Sequence, residues 1–170
     1  MIVKTYAAAL QGIDAIPVTI ETLLDSGFMM TMVGLPDTAV KESAERVMSA
    51  VNVSGFGFPR RKVVINLAPA DVRKEGSAYD LPIAAGIVAA DGKIKPDHLG
   101  EFLMIGELSL DGSLLPVKGV LPMAIMARKL GFRGMIVPRA NALEAAVVND
   151  IEVYGCGSFA EVAGFLNDAA

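Results

Sequence analysis

Apolar and polar residues alternate over residues 2–10 and 15–24, and an apolar run follows over 28–33. Turn-forming residues separate them at Gln11-Gly12 and Asp25-Ser26-Gly27. A period of two is the signature of a strand, so the first third predicts three strands. After Gly34-Leu35-Pro36-Asp37 the period changes. Val40, Ala44, Val47, Met48 and Val51 form a helical stripe, with Lys41, Glu42, Glu45 and Arg46 mostly opposite it and Asp37 or Thr38 as its cap. Residues 60–68, RRKVVINLA, predict a strand, and the loop APADVRKEGSAY leads to Asp80 as the expected cap of the next helix, with Pro82 in its first turn. That helix, residues 81–90, is apolar all round, which predicts burial on most sides.

Further on, residues 102–110 predict a strand, and Asp111-Gly112 with Leu114-Leu115 a hairpin. A helix over 119–130 stops at Gly131. The tail reads strand (FRGMIVPRA), helix (ANALEAAVV), short strand (IEVYG) and a capped terminal helix (SFAEVAGFLND). Antiparallel strands in front and strand–helix alternation behind predict an α/β fold, a mixed sheet with helices packed on it. No internal repeat or low-complexity linker interrupts residues 1–170, so one compact domain is expected.

Composition sharpens this picture. With 170 residues, a domain buries roughly 70% of its unfolded surface, enough for a core without staples. The chain is 53% hydrophobic and its mean hydropathy is +0.50. Its longest apolar runs nevertheless fall short of the ~18 residues of a membrane span, and the start MIVKTYAAAL makes a poor signal peptide. A cytoplasmic protein with no membrane partner is expected. The single cysteine, Cys156, and the single histidine, His98, lie too far apart for a metal-ligand pair, and the expected metal set is none. The net charge of −4 leaves nucleic-acid binding only to local groups. Those groups are Arg60, Arg61 and Lys62, with Arg73 and Lys74 further on.

No G-x-x-x-x-G-K-[ST] stretch occurs, and Gly55-Phe56-Gly57 lacks the continuation of a dinucleotide loop. No carboxylate pair stands out. The remaining nucleophile arrangement is a serine activated by a lysine, in the loop RKEGSAYDLPIA.

Here the chain resembles the proteolytic domain of Lon proteases, whose superfamily includes the second domain of ribosomal protein S-five and the GHMP kinases. The resemblance covers roughly residues 60–140 and rests on Lys74-Glu75-Gly76, the apolar helix after it, Gly106-Glu107 and Pro116-Val117. It puts Ala78 at the position of the nucleophilic serine and Leu121 at that of the general-base lysine, so neither member of the dyad remains. Ser77 falls one position early, and a displaced Ser77–Lys118 pair is the alternative peptidase reading. One position turns a side chain by about 100° on a helix or to the other face of a strand, while proton transfer needs contact near ~3 Å.

A closer resemblance covers almost the whole chain. The stretches TMVGLPD (31–37), VKE (40–42), VINLAPAD (64–71), KEG (74–76) and YDLPIA (79–84) resemble the amino-terminal domain of the YifB/ComM family, bacterial relatives of the magnesium-chelatase ATPase subunit. The resemblance implies a Lon-like domain joined to an AAA+ module. That module would bind ATP and magnesium, while this chain needs no cofactor. It also implies a hexameric ring acting in DNA processing during natural transformation. The expected role of these residues is a non-catalytic accessory module aiding DNA binding or ring assembly. Arg60, Arg61, Lys62, Arg73 and Lys74 are its candidate phosphate contacts, and Glu75, Gly76 and Asp80 shape the loop. A purely structural oligomerisation domain is the third reading.

Overall fold

The computed structural model describes residues 2–168. Its centre is a seven-stranded sheet. β1 (Ile2–Gln11) and β2 (Asp14–Asp25) form an antiparallel hairpin in register from Ile2–Leu23 to Gln11–Asp14. β3 (Met30–Val33) follows β2 in sequence but does not pair with it; β4 (Lys62–Ala68) inserts between them, antiparallel to β2 and parallel to β3. On the other side β5 (Phe102–Met104), β8 (Gly134–Pro138) and β9 (Glu152–Cys156) extend the sheet in parallel, giving the order β3-β4-β2-β1-β5-β8-β9. Only β2 runs against the rest. This is the expected mixed α/β sheet.

The sheet is covered on both faces. Val3, Ala7 and Ala9 of β1 point into one core with α2 (Ser43–Val53), α3 (Asp80–Ala90) and α6 (Phe159–Asp168). Ala8 points into a second core with Val120, Met123, Ala124 and Ala127 of α4 (Val120–Lys129). Burial on both faces explains why this part of β1 reads as a run of alanines and not as clean alternation. α3 is buried from Asp80 to Ala89, as its apolar sequence requires.

Several expected boundaries shift. The stripe after Asp37 forms two helices, α1 (Thr38–Lys41) and α2, joined by a tight turn in which Glu45 N–H donates to Glu42 C=O. Asp37 is indeed the cap, accepting from Val40 N–H at 2.8 Å. The strand expected over 102–110 divides. β5 ends at Met104, and β6 (Glu107–Leu108) pairs with β7 (Leu114–Leu115) as a separate hairpin around Asp111-Gly112. Gly106 allows the break, because a Cβ there would lie 2.5 Å from Leu114 Cδ1. The helix expected in ANALEAAVV shortens to α5 (Ala142–Ala145) after a 3₁₀ turn over Arg139–Asn141. The terminal helix is capped by Ser158, whose Oγ accepts from Glu161 N–H.

Asp80 does not cap α3. It sits in the first turn, 1% exposed, and binds the Arg46 guanidinium with both carboxylate oxygens, at 2.6 Å to Nε and 3.0 Å to Nη2. Leu108 N–H donates to it at 3.0 Å, and Arg46 also donates to Ala39 C=O. One carboxylate thus ties α2, α3 and the β6–β7 hairpin together. Burial lifts the Asp80 carboxyl above its ordinary value, against the opposing pull of Arg46 and the Leu108 N–H.

α3 approaches the sheet at Gly86. A Cβ built there would lie 2.7 Å from Thr22 Oγ1, while Thr5 Oγ1 donates to Pro82 C=O nearby at 2.8 Å. Overpacking of this kind costs about 1–3 kcal/mol, against a helix-propensity gain near 1 kcal/mol for Ala over Gly. Gly86→Ala is therefore expected to lower stability in urea titration, and to do so less, or not at all, in a Thr22→Ala background. Equal costs in both backgrounds would show that the close approach does not govern the site.

Candidate functional site

A cleft of about 800 Å³ opens between the end of β1, the loop before α3 and the segment entering α4. Its walls include Ala8–Gln11, Glu75–Tyr79 and Pro116–Lys118, with Asp37, Val72, Arg73 and Met123. Three segments far apart in sequence meet here because β1 lies at the middle of the sheet and α3 and α4 cover its opposite faces.

Each wall is fixed by its own bonds. Lys74 is fully buried. Its Nζ donates to Gly34 C=O at 2.7 Å and to Pro69 C=O, while its backbone pairs with Leu35 C=O and Asp37 N–H at 3.0 and 2.9 Å. Gly34 has no room for a side chain, since a Cβ would lie 2.0 Å from Leu67 carbonyl oxygen. Asp37 Oδ2 accepts from Gly76 N–H at 3.2 Å, and Gly76 turns at φ +86°. The stretches GLPD, VINLAPAD and KEG are therefore parts of one clasp. Ser77 Oγ donates to Glu107, and Ala78 C=O accepts from Gly106 N–H at 2.9 Å. On the opposite wall Asn141, 7% exposed, accepts from Val117 N–H at 3.0 Å and donates to Val117 C=O at 2.9 Å. Gly119, at φ +82°, packs on Leu10 so closely that a Cβ would lie 2.4 Å from its Cδ1.

The candidate residues separate accordingly. Ala78, which the resemblance puts at the position of a nucleophile, lines the cleft and has no functional atom. Leu121 is not among the lining residues; it opens α4, partly exposed, and its N–H donates to Glu144. Ser77 and Lys118 both line the cleft, but the serine hydroxyl is committed to Glu107, and Lys118 has no hydrogen-bond or ion-pair partner among the described residues. The hydroxyl of Ser77 thus has Glu107 as its partner and not Lys118, so the displaced Ser77–Lys118 pair is not formed. The described residues contain no group of three or more metal-ligating side chains.

The basic candidates form two sites and not one. Arg60 and Arg61 are exposed and Lys62 half-buried at the start of β4, with Arg61 also donating to Leu24 C=O at 3.3 Å. Arg73 lies beyond the other end, on the order of 20 Å away along a seven-residue strand. It is exposed and paired with Glu75 at 3.3 Å. Lys74, expected among the phosphate contacts, is turned inward and has no surface to offer. Its long aliphatic stem and fixed donor site suit the interior once two carbonyls meet its ammonium.

Sequence reasoning missed Arg46, Asn141 and Glu107 as the residues that hold the site. The first sat on an apparently solvated helix face, and the other two carry no local pattern. Cys156 is buried, and its thiol is pushed up to about 11 by burial, in keeping with an inert group.

The comparisons place this cleft in a family. The sequence model of the family described as subunit ChlI of Mg-chelatase matches residues 20–141. The chain belongs to that family. Within it, the chain is of the YifB/ComM type. It is 43% identical over 163 residues to competence protein ComM of Haemophilus influenzae, covering 95% of this chain and 32% of ComM. It is 45% identical over 149 residues to the uncharacterized protein YifB of Escherichia coli, covering 87% and 29%. A weaker likeness, 28% over 124 residues, links it to Lon protease 2 of Thermus thermophilus, with 69% of this chain and 15% of that protease covered. The ChlI-family chain thus spans about a third of the length of ComM and YifB.

Burial holds the Lys74 amine below the ordinary lysine value of 10.5, Asp71 opposing. The unfolded chain therefore binds the proton more tightly, and the stability that Lys74 contributes rises as pH climbs towards 10.5. Lys74→Met leaves two carbonyls without their donor, at a cost of about 1–3 kcal/mol. The difference in unfolding free energy between the native chain and Lys74→Met is expected to widen between pH 7 and 10. A gap that narrows would show that folding raises the Lys74 amine and does not lower it.

Proposed function

We propose that this domain is a non-catalytic accessory module of a ChlI-type AAA+ ATPase, engaging DNA and supporting assembly of the ring. The observation that supports the reading is the cleft itself: Ala78, which the resemblance puts at the nucleophile position, lines it, and the neighbouring hydroxyl of Ser77 is held by Glu107. ATP and magnesium would be bound by the AAA+ module of the whole protein, in a homo-oligomer, by likeness a hexamer, acting in the cytoplasm. The name of ComM, a competence protein, supports a role in DNA uptake or processing. No helix among the described residues is long and apolar enough to cross a membrane.

The DNA contact proposed is Arg60, Arg61 and Lys62. The turn carrying Phe28, 88% exposed, and Met29, 72% exposed, lies against this strand end, Val63 N–H donating to Met29 C=O at 2.9 Å. Cations beside an exposed ring suit a phosphate backbone with a base stacked on the ring. Arg73 is the weaker candidate, its charge already met by Glu75.

Two measurements on the domain test this reading. A fluorophosphonate probe is expected to leave the native chain unlabelled; Ser77-dependent labelling would establish the displaced-dyad peptidase instead. Fluorescence anisotropy with labelled single- and double-stranded oligonucleotides is expected to show binding that weakens with salt and drops at least tenfold in Arg60→Glu/Arg61→Glu. A salt-insensitive oligomer with no DNA binding would favour the purely structural domain.

A further inference from the structure

α4 carries apolar residues on both of its sides. Its inward residues, Val120, Met123, Ala124 and Ala127, fill the second core, while Leu121 and Ile125 point outward and are partly exposed. Four positions apart, these two stand one above the other on one face, where a surface helix normally carries polar residues. Beside them lies α5, whose Ala142 and Ala145, with Val148, pack into the same core. Its outward residues are Leu143 and, one turn on, Val147, 86% and 71% exposed. Leu121 N–H donates to Glu144 at 3.3 Å, so the starts of the two helices touch. Single exposed apolar residues are ordinary, but four on adjoining helices form a patch, and a patch rimmed by charge marks an interaction surface.

The charges on the rim are sorted by sign. Glu144 stands at the start of α4, where Asn141 Nδ2 also donates to it at 3.5 Å. Arg128 and Lys129 stand at its end, exposed and with no hydrogen-bond or ion-pair partner among the described residues. Arg128 continues the row of Leu121 at i+7, and Lys129 that of Ile125 at i+4. Lys118, just before α4 in sequence, lines the cleft instead. Leu121 and Arg128 are about 10 Å apart along the helix axis, with Ile125 near the middle. A face with an apolar centre, an acid at one end and bases at the other is complementary to itself after a half-turn.

We propose that the α4–α5 face binds the same face of a second copy of this chain, the two α4 helices running antiparallel about a twofold axis beside Ile125. Ile125 of one copy then meets Ile125 of the other, and Leu121, Leu143 and Val147 flank that contact. Glu144 of each copy reaches Arg128 and Lys129 of the other, which fixes the register, since a parallel pairing would bring like charges together. Neighbours in a closed ring meet through unlike faces, whereas a twofold pair uses like ones. The contact is therefore additional to the ring assembly proposed above and independent of it, of DNA binding and of catalysis.

The test is sedimentation equilibrium of the domain over a concentration series. The face offers far fewer side chains than the ~20–30 residues a side of a standard interface, so the dimer is expected to be weak and to fill only at high micromolar concentration. Ile125→Asp is expected to weaken it at least tenfold, as are Glu144→Lys and Arg128→Glu/Lys129→Glu, each alone and with the urea midpoint of the fold kept. Mixing the last two variants in equal amounts is expected to restore a 1:1 dimer, because one then carries bases at both ends of the face and the other acids. A monomer up to millimolar concentration would overturn the proposal. So would association indifferent to Ile125→Asp, which would put the contact elsewhere. Charge variants that stay apart when mixed would refute the antiparallel register, and species growing beyond the dimer would refute the twofold pair.

Discussion

The ammonium of Lys74 is the tie on which the cleft depends. It reaches from the loop before α3 to carbonyls at Gly34, after β3, and Pro69, after β4, so three chain segments share one buried cation. Carbonyls in such a place would otherwise lack donors, and an unmet buried polar group is costly. Gly34 is fixed by the same contact, since only a residue without Cβ fits against Leu67. Once this joint is made, Asp37 can both cap α1 and hold Gly76, and the wall from Glu75 to Tyr79 has its shape.

A second tie joins other elements. The Arg46–Asp80 pair joins α2 to α3 and, through Leu108 N–H, to the β6–β7 hairpin. Removing one partner of a buried pair leaves a charge without its counterion, which is far more costly than losing an exposed pair. Together the two ties hold the loop Glu75–Tyr79 and the start of α3, with Ala78 where the Lon resemblance matches a nucleophile. A wall held by two such ties loses little order when the cleft is occupied.

Much of this was legible in the residues. Period-two runs gave the β1–β2 hairpin and the strand at β4, and the unbroken apolar stretch after Asp80 announced a buried helix. The resemblance at KEG and Pro116-Val117 implied that the dyad is missing. What remained hidden was long-range. Lys74 and Asp80 carry charges that propensity places on surfaces or caps, and only their partners, 34 or 40 residues away, bring them inside. The strand expected over 102–110 broke because Gly106 must meet Ala78 and Leu114, neither of which a local pattern names. β3 took β4 as its neighbour and not β2, a choice made by topology and invisible to periodicity.

The measurement that addresses the central claim most directly is a ¹⁵N-resolved spectrum of the lysine ammonium groups at neutral pH. An ammonium held between two carbonyls exchanges its protons slowly with water. The account predicts one protected NH₃⁺ resonance that disappears in Lys74→Met and persists when Lys118 is replaced. If Lys74 gave no protected signal, exchanging as freely as a solvated lysine, the clasp and the cleft built on it would be contradicted.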